Sequence, residues 1–163
     1  MSQDPFNTAP VPSTLLKVLS WFVLATTGFV LFLNVMEVIA PPDPAAVMEA
    51  FDATLERFST NTDATTAELM EQMRGIQLRL IEGGRLLALL KAVGCLLVMA
   101  GAWLMRGLDK RGFHLYVIGG LVWCFAPMVV AGGNVFTWVM AFLYGAVCFL
   151  FTVLFASRLK EMR

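Results

Sequence analysis

Four stretches of the chain are apolar at nearly every position, while the segment between the first two is apolar only at every third or fourth. The hydrocarbon core of a bilayer is about 30 Å thick, so a helix needs roughly 20 mostly apolar residues to cross it. The stretch from Val18 to Ile39 has that length, and its one charge, Glu37, lies near its end. Leu86 to Met105 carries a single charge, Lys91; Phe113 to Ala131 contains Pro127; Val135 to Ala156 has no charge. Each is predicted to be a helix, because a helix closes its own backbone hydrogen bonds in lipid. The alternating pattern of barrel strands is absent. The first stretch has some likeness to a signal peptide, with Lys17 before it and Val38-Ile39-Ala40 as a small-residue site. It exceeds the about 7–15 residues of a signal core, and Pro41 would follow the cut directly, so it is read as a retained span.

The segment 40–85 repeats with a different period. Asp43 is placed to cap a helix that has Pro44 as its first residue. Val47, Met48, Phe51, Leu55 and Phe58 then form one apolar stripe. Ser59 to Asp63 is a polar breaker. Thr65 and Glu68 have capping-box spacing, and Leu69, Met73, Ile76 and Leu80 form a second stripe. Two such stripes predict an antiparallel helical hairpin that packs on itself. A docking face for a partner and a helix lying on the outer leaflet are the alternatives. Gly83-Gly84 is a hinge between this segment and the second span, or the helix runs straight through it.

Composition agrees with burial in lipid. Hydrophobic residues make up 58% and charged residues 15% of the 163-residue chain, and the mean hydropathy is +0.74. Soluble domains carry roughly 25% charged residues. Disorder, a disulfide-rich secreted scaffold and a nucleic-acid binder resting on positive charge are all excluded. Charge also orients the spans. With both termini on one side, that side holds seven basic residues: Lys17, Arg106, Lys110, Arg111, Arg158, Lys160 and Arg163. The long loop carries four basic residues against eight acidic ones. The excess of Lys and Arg predicts cytoplasmic termini and an outward-facing loop. Trp21, Trp103 and Tyr116 fall near the predicted inner interface and Trp138 near the outer one, whereas Trp123 and Tyr144 fall near mid-span.

Candidate chemistry is sparse. Glu37 and Lys91 are ionisable groups within spans, and at 1.5 Å per residue their depths agree to within a few ångströms. Asn34, one turn before Glu37, completes a candidate intramembrane polar cluster. The alternatives for the charged pair are an ion pair facing the bundle, two side chains snorkelling to the interface, or a coupling site for protons or cations. Small multidrug transporters offer an analogy, with four spans and a glutamate in the first, but Glu37 is shallower and the first loop longer. Cys95, Cys124 and Cys148 sit near mid-span without a Cys-x-x-Cys motif and are read as small hydrophobes. His114 beside Arg111 is read as a surface residue. No nucleophile, metalloprotease or phosphate-binding motif occurs. Ala88 with Ala92, Ala141 with Gly145, and Gly28, Gly94, Gly101, Gly119 and Gly120 are candidate points of close helix approach.

The basic loop Arg106–Arg111 followed by Gly112-Phe113-His114-Leu115-Tyr116-Val117-Ile118-Gly119 resembles a group of small, uncharacterised four-span bacterial membrane proteins. Those proteins also have a long first loop and a basic tail like residues 158–163. The resemblance implies a bacterial inner membrane and carries no activity onto any residue. The motif itself reads as structural: Gly112 ends the loop, Phe113 and Tyr116 anchor at the interface, and Gly119 permits close packing.

The predicted fold is therefore all-α, an integral membrane bundle of four transmembrane helices with an extracytoplasmic helical hairpin between spans one and two. Its parts are a tail 1–17, span 18–39, hairpin 40–85, span 86–105, loop 106–112, spans 113–131 and 135–156 joined by a turn near Gly132–Asn134, and a tail 157–163. The expected function is non-enzymatic: an accessory subunit or scaffold binding other membrane components through its spans or outer hairpin. The alternative is a small oligomeric transporter or channel-like protein using Asn34, Glu37 and Lys91. No cofactor or metal is expected. The expected partners are the lipid bilayer and either a second copy of the chain or another membrane protein, with no nucleic acid.

Overall fold

The computed structural model describes residues 13–58 and 64–162; the breaker Ser59–Asp63 lies outside them. Among the described residues the secondary structure is all-helical: α1 Thr14–Ile39, α2 Pro44–Phe58, α3 Ala64–Glu82, α4 Gly84–Arg106, α5 Arg111–Ala131, α6 Val135–Ala156 and a short 3-10 turn, Leu159–Glu161. Helices α1, α4, α5 and α6 are long and apolar enough to cross a membrane.

Local chemistry explains the boundaries. Helix α1 starts four residues before the apolar stretch, because the Ser13 hydroxyl accepts from the Leu16 amide at 3.4 Å and caps it there. Hydropathy marks where lipid begins, whereas a cap marks where the helix begins. Asp43 caps α2 as its spacing predicts, its carboxylate accepting from the Ala45 amide at 3.0 Å. Helix α3 begins at Ala64, so Thr65 lies in its first turn; the Thr65 side chain falls outside the described residues. At the α3–α4 junction only Gly83 departs from helix. Gly83 N still donates to Arg79 O and Leu87 N to Gly83 O, both at 2.9 Å, so α3 runs almost unbroken into α4. A side chain at Gly83 would collide with Val130 of α5. Between α5 and α6, Gly132 takes φ +83°, where a side chain would be strained. Asn134 then caps α6 in a reciprocal box: Thr137 N donates to Asn134 Oδ1 at 2.9 Å, and Asn134 N donates to Thr137 Oγ1 at 3.1 Å.

The spans pack as a row, α1–α4–α5–α6, with α4 and α5 in the centre. Glycines make the central seam. A Cβ at Gly101 would lie 2.5 Å from Tyr116 N, one at Gly112 2.5 Å from Gly101 O, and one at Gly119 2.7 Å from Gly94 O. Gly94 thus opposes Gly119, and Gly101 opposes Gly112. The members on each helix are seven residues apart, about two turns, so both fall on one stripe. Small residues let backbones touch, which is how helices associate in lipid without a hydrophobic drive. Gly28 and Gly145, also candidates for close approach, meet little: a Cβ would find Met99 Cε at 3.9 Å in the first case and open space in the second.

The row closes on itself at one end only. There Leu16, Leu19, Val23, Ala102, Met105, Leu108, Tyr116, Phe155 and Met162 form the main buried cluster. Leu108 holds φ 65°, a left-handed conformation that costs an L residue roughly 1–2 kcal/mol, and does so with its side chain in this cluster. Further along, α1 and α6 are not packed helix against helix; the Phe22 and Phe151 rings stack across the gap at 5.8 Å.

Candidate functional site

A cavity of about 370 Å³ lies at mid-span. All four spanning helices line it: α1 with Phe22, Thr26, Thr27 and Val30, α4 with Cys95 and Val98, α5 with Tyr116, Gly120 and Trp123, and α6 with Val147, Cys148 and Phe151. Its wall is apolar apart from a few hydroxyls and thiols. Thr26 is satisfied by its own helix, donating to Phe22 O at 2.8 Å. Tyr116 is only 6% exposed and packs edge-on against Phe155 with ring centres 5.0 Å apart. It is therefore buried in the bundle rather than anchored at the interface, because the glycine seam draws this turn of α5 against α4. Neither the Tyr116 nor the Thr27 hydroxyl has a hydrogen-bond partner among the described residues.

The thiols divide. Cys124 Sγ and Cys148 Sγ lie 3.6 Å apart across α5 and α6, as free thiols in contact. Cys95 is buried on α4. Among the described residues no group of three His, Cys, Asp or Glu could hold a metal ion. The two mid-span aromatics that fit no interface belt, Trp123 and Tyr144, pack edge-to-face on each other at 4.7 Å.

The predicted polar cluster is distributed rather than gathered at one point. Asn34 is buried on α1, its amide donating to Val30 O of the same helix at 2.7 Å. Lys91 Nζ stands 6.0 Å from the centre of the Trp123 ring. Glu37 lies within electrostatic range of Lys91 but makes no contact with it inside 4.0 Å. It lines instead a second recess of about 610 Å³ between the end of α1 and helices α2 and α3, with Asp43, Glu82 and Arg85. Asn34 belongs to a longer pattern that residue-by-residue reading missed: Ser20, Thr27 and Asn34 recur every seven residues along the inward face of α1. Ser20 is completely buried, with its hydroxyl unpartnered. The seven-residue spacing of small polar residues was the available signal.

Helices α2 and α3 meet through an ion pair, Arg74 Nη2 to Asp52 Oδ2 at 2.9 Å. Their apolar stripes are only half-covered: Met48, Phe51, Leu55, Met73, Ile76 and Leu80 are all of intermediate exposure, and Leu69 is exposed. At the opposite end the Arg106 guanidinium lies 4.6 Å from the Trp21 ring and 5.4 Å from the Trp103 ring. That grouping of an arginine with two exposed indoles suits a membrane interface. Comparison with protein families, with curated proteins and with solved structures found no match.

Proposed function

We propose that this chain is a non-enzymatic integral membrane protein that binds other membrane components through its spans and outer helices, as an accessory subunit or scaffold. The observation that carries this reading is the open row of helices. Helices α1 and α6 flank the bundle with most of their apolar surface exposed and close against each other at one end only. The half-covered stripes of α2 and α3 add a second face outside the lipid. The distribution of basic residues supports cytoplasmic termini, and the resemblance supports a bacterial inner membrane. The test is purification of the tagged full chain in mild detergent, with identification of co-purifying chains. A reproducible stoichiometric partner is the expected result; a pure homo-oligomer would overturn the reading.

The alternative, a small oligomeric transporter using Asn34, Glu37 and Lys91, draws support from the polar stripe on α1. Against it stands the mid-span wall, where hydroxyls are few and no charge occurs. In reconstituted vesicles this alternative requires Glu37→Gln to abolish pH-dependent ion movement while leaving thermal stability intact.

A further inference from the structure

The mid-span cavity has a chemistry of its own, independent of lateral docking. It lies among the four spanning helices at the depth of the lipid tails, with the stacked Phe22 and Phe151 rings in its wall, so a fitting ligand is one dissolved in the hydrocarbon. Its volume lies within the about 300–1,000 Å³ typical of small-molecule sites. Two hydroxyls on its wall, Thr27 from α1 and Tyr116 from α5, have no partner among the described residues, and Tyr116 is more than nine-tenths buried. Neither hydroxyl oxygen is sealed within the protein, so each remains able to donate, and a saturated acyl chain offers it no acceptor. The aromatic walls of Phe22, Trp123 and Phe151 suit a flat ring.

We propose that this cavity binds a membrane-dissolved carbonyl-bearing lipophile of the isoprenoid-quinone class. The ring lies among the aromatics, a carbonyl oxygen accepts from the Tyr116 and Thr27 hydroxyls, and the apolar tail leaves between α1 and α6. A quinone carbonyl is an acceptor only and therefore complements two unpaired donors. The site is assigned for binding, with no electron transfer to the thiols.

The test uses the purified full chain in mild detergent, titrated with decylubiquinone and followed by tryptophan fluorescence and by melting temperature. Saturable binding is expected. Tyr116→Phe keeps the ring and removes the hydroxyl, and should weaken binding by roughly three- to tenfold. Val98→Trp, at a partly buried position on the cavity wall, fills the cavity and should abolish binding, whereas Val129→Trp, on an exposed face of α5, should leave it unchanged. Non-saturable uptake, or equal binding by wild type, Tyr116→Phe and Val98→Trp, would overturn the proposal. So would an organic extract of the purified protein that returns phospholipid and fatty acid without quinone, since the occupant would then be an acyl chain. Should Val98→Trp fail to fold, Tyr116→Phe alone decides. Co-purification of a protein partner is unaffected by any of these results, so the two readings fail separately.

Discussion

A single methyl group distinguishes the glycines that hold α4 to α5 from those that do not. At Gly101 an added methyl would press on the backbone of α5, which can yield only by moving the whole helix. Gly101→Ala should therefore lower stability by about 1–3 kcal/mol, the usual cost of overpacking. Gly145→Ala meets open space and removes a weak helix former, so it should be neutral or stabilising by up to about 1 kcal/mol. Melting of both variants in one detergent checks the pair; equal losses would mean that the seam is not the point of contact. The charged residues make a second case. Glu37 and Lys91 are not in direct contact, and each has other surroundings: the recess beside α2 and α3 for the carboxylate, the Trp123 ring for the ammonium. A double-mutant cycle with Glu37→Gln and Lys91→Met should accordingly give a coupling below about 0.5 kcal/mol. A coupling above about 1 kcal/mol would show the two charges closing on each other in the bilayer.

At the scale of elements, the α2–α3 pair and the α5–α6 turn are stabilised in different ways. The Arg74–Asp52 pair is exposed and contributes at most about 1 kcal/mol. Whatever stability α2 and α3 share rests mainly on their half-covered stripes. Phe51→Asp or Met73→Asp, by putting a carboxylate into a stripe, should cost about 1–3 kcal/mol and speed cleavage by an added protease. Gln72→Asp, on an exposed position, should not. Equal cleavage of all three would show that the stripes do not pack. The turn at Gly132–Asn134 depends on its cap instead. Asn134→Ala removes the acceptor for Thr137 N and should lower melting stability by about 0.5–2 kcal/mol.

For the whole molecule, orientation is the testable property. Seven basic residues flank the ends and the α4–α5 loop, and the long segment between α1 and α4 is acidic. A reporter active only in the cytoplasm should work when fused after Arg163, and one active only outside should work when inserted at 59–63. The reversed pattern would sink the assignment. The same orientation puts the Arg106–Trp21–Trp103 grouping at the inner interface and the recess around Glu37 at the outer one.

The sequence by itself determined the four spans, the helical content of the segment between the first two, and the start of α2 at Asp43. These depend on local quantities: the length of an apolar run, the period of a stripe, a capping side chain next to a proline. It did not determine which faces meet. Lipid tails are as apolar as leucine, so hydropathy cannot mark the side of a span that touches protein. Tyr116 stood at interfacial depth in the sequence and became a buried wall of the cavity, because Gly112 and Gly119 on either side of it draw α5 onto α4. The meeting of Cys124 with Cys148, the pairing of Trp123 with Tyr144 and the separation of Glu37 from Lys91 were decided the same way, by how the helices turn about their axes once the glycine seam has closed.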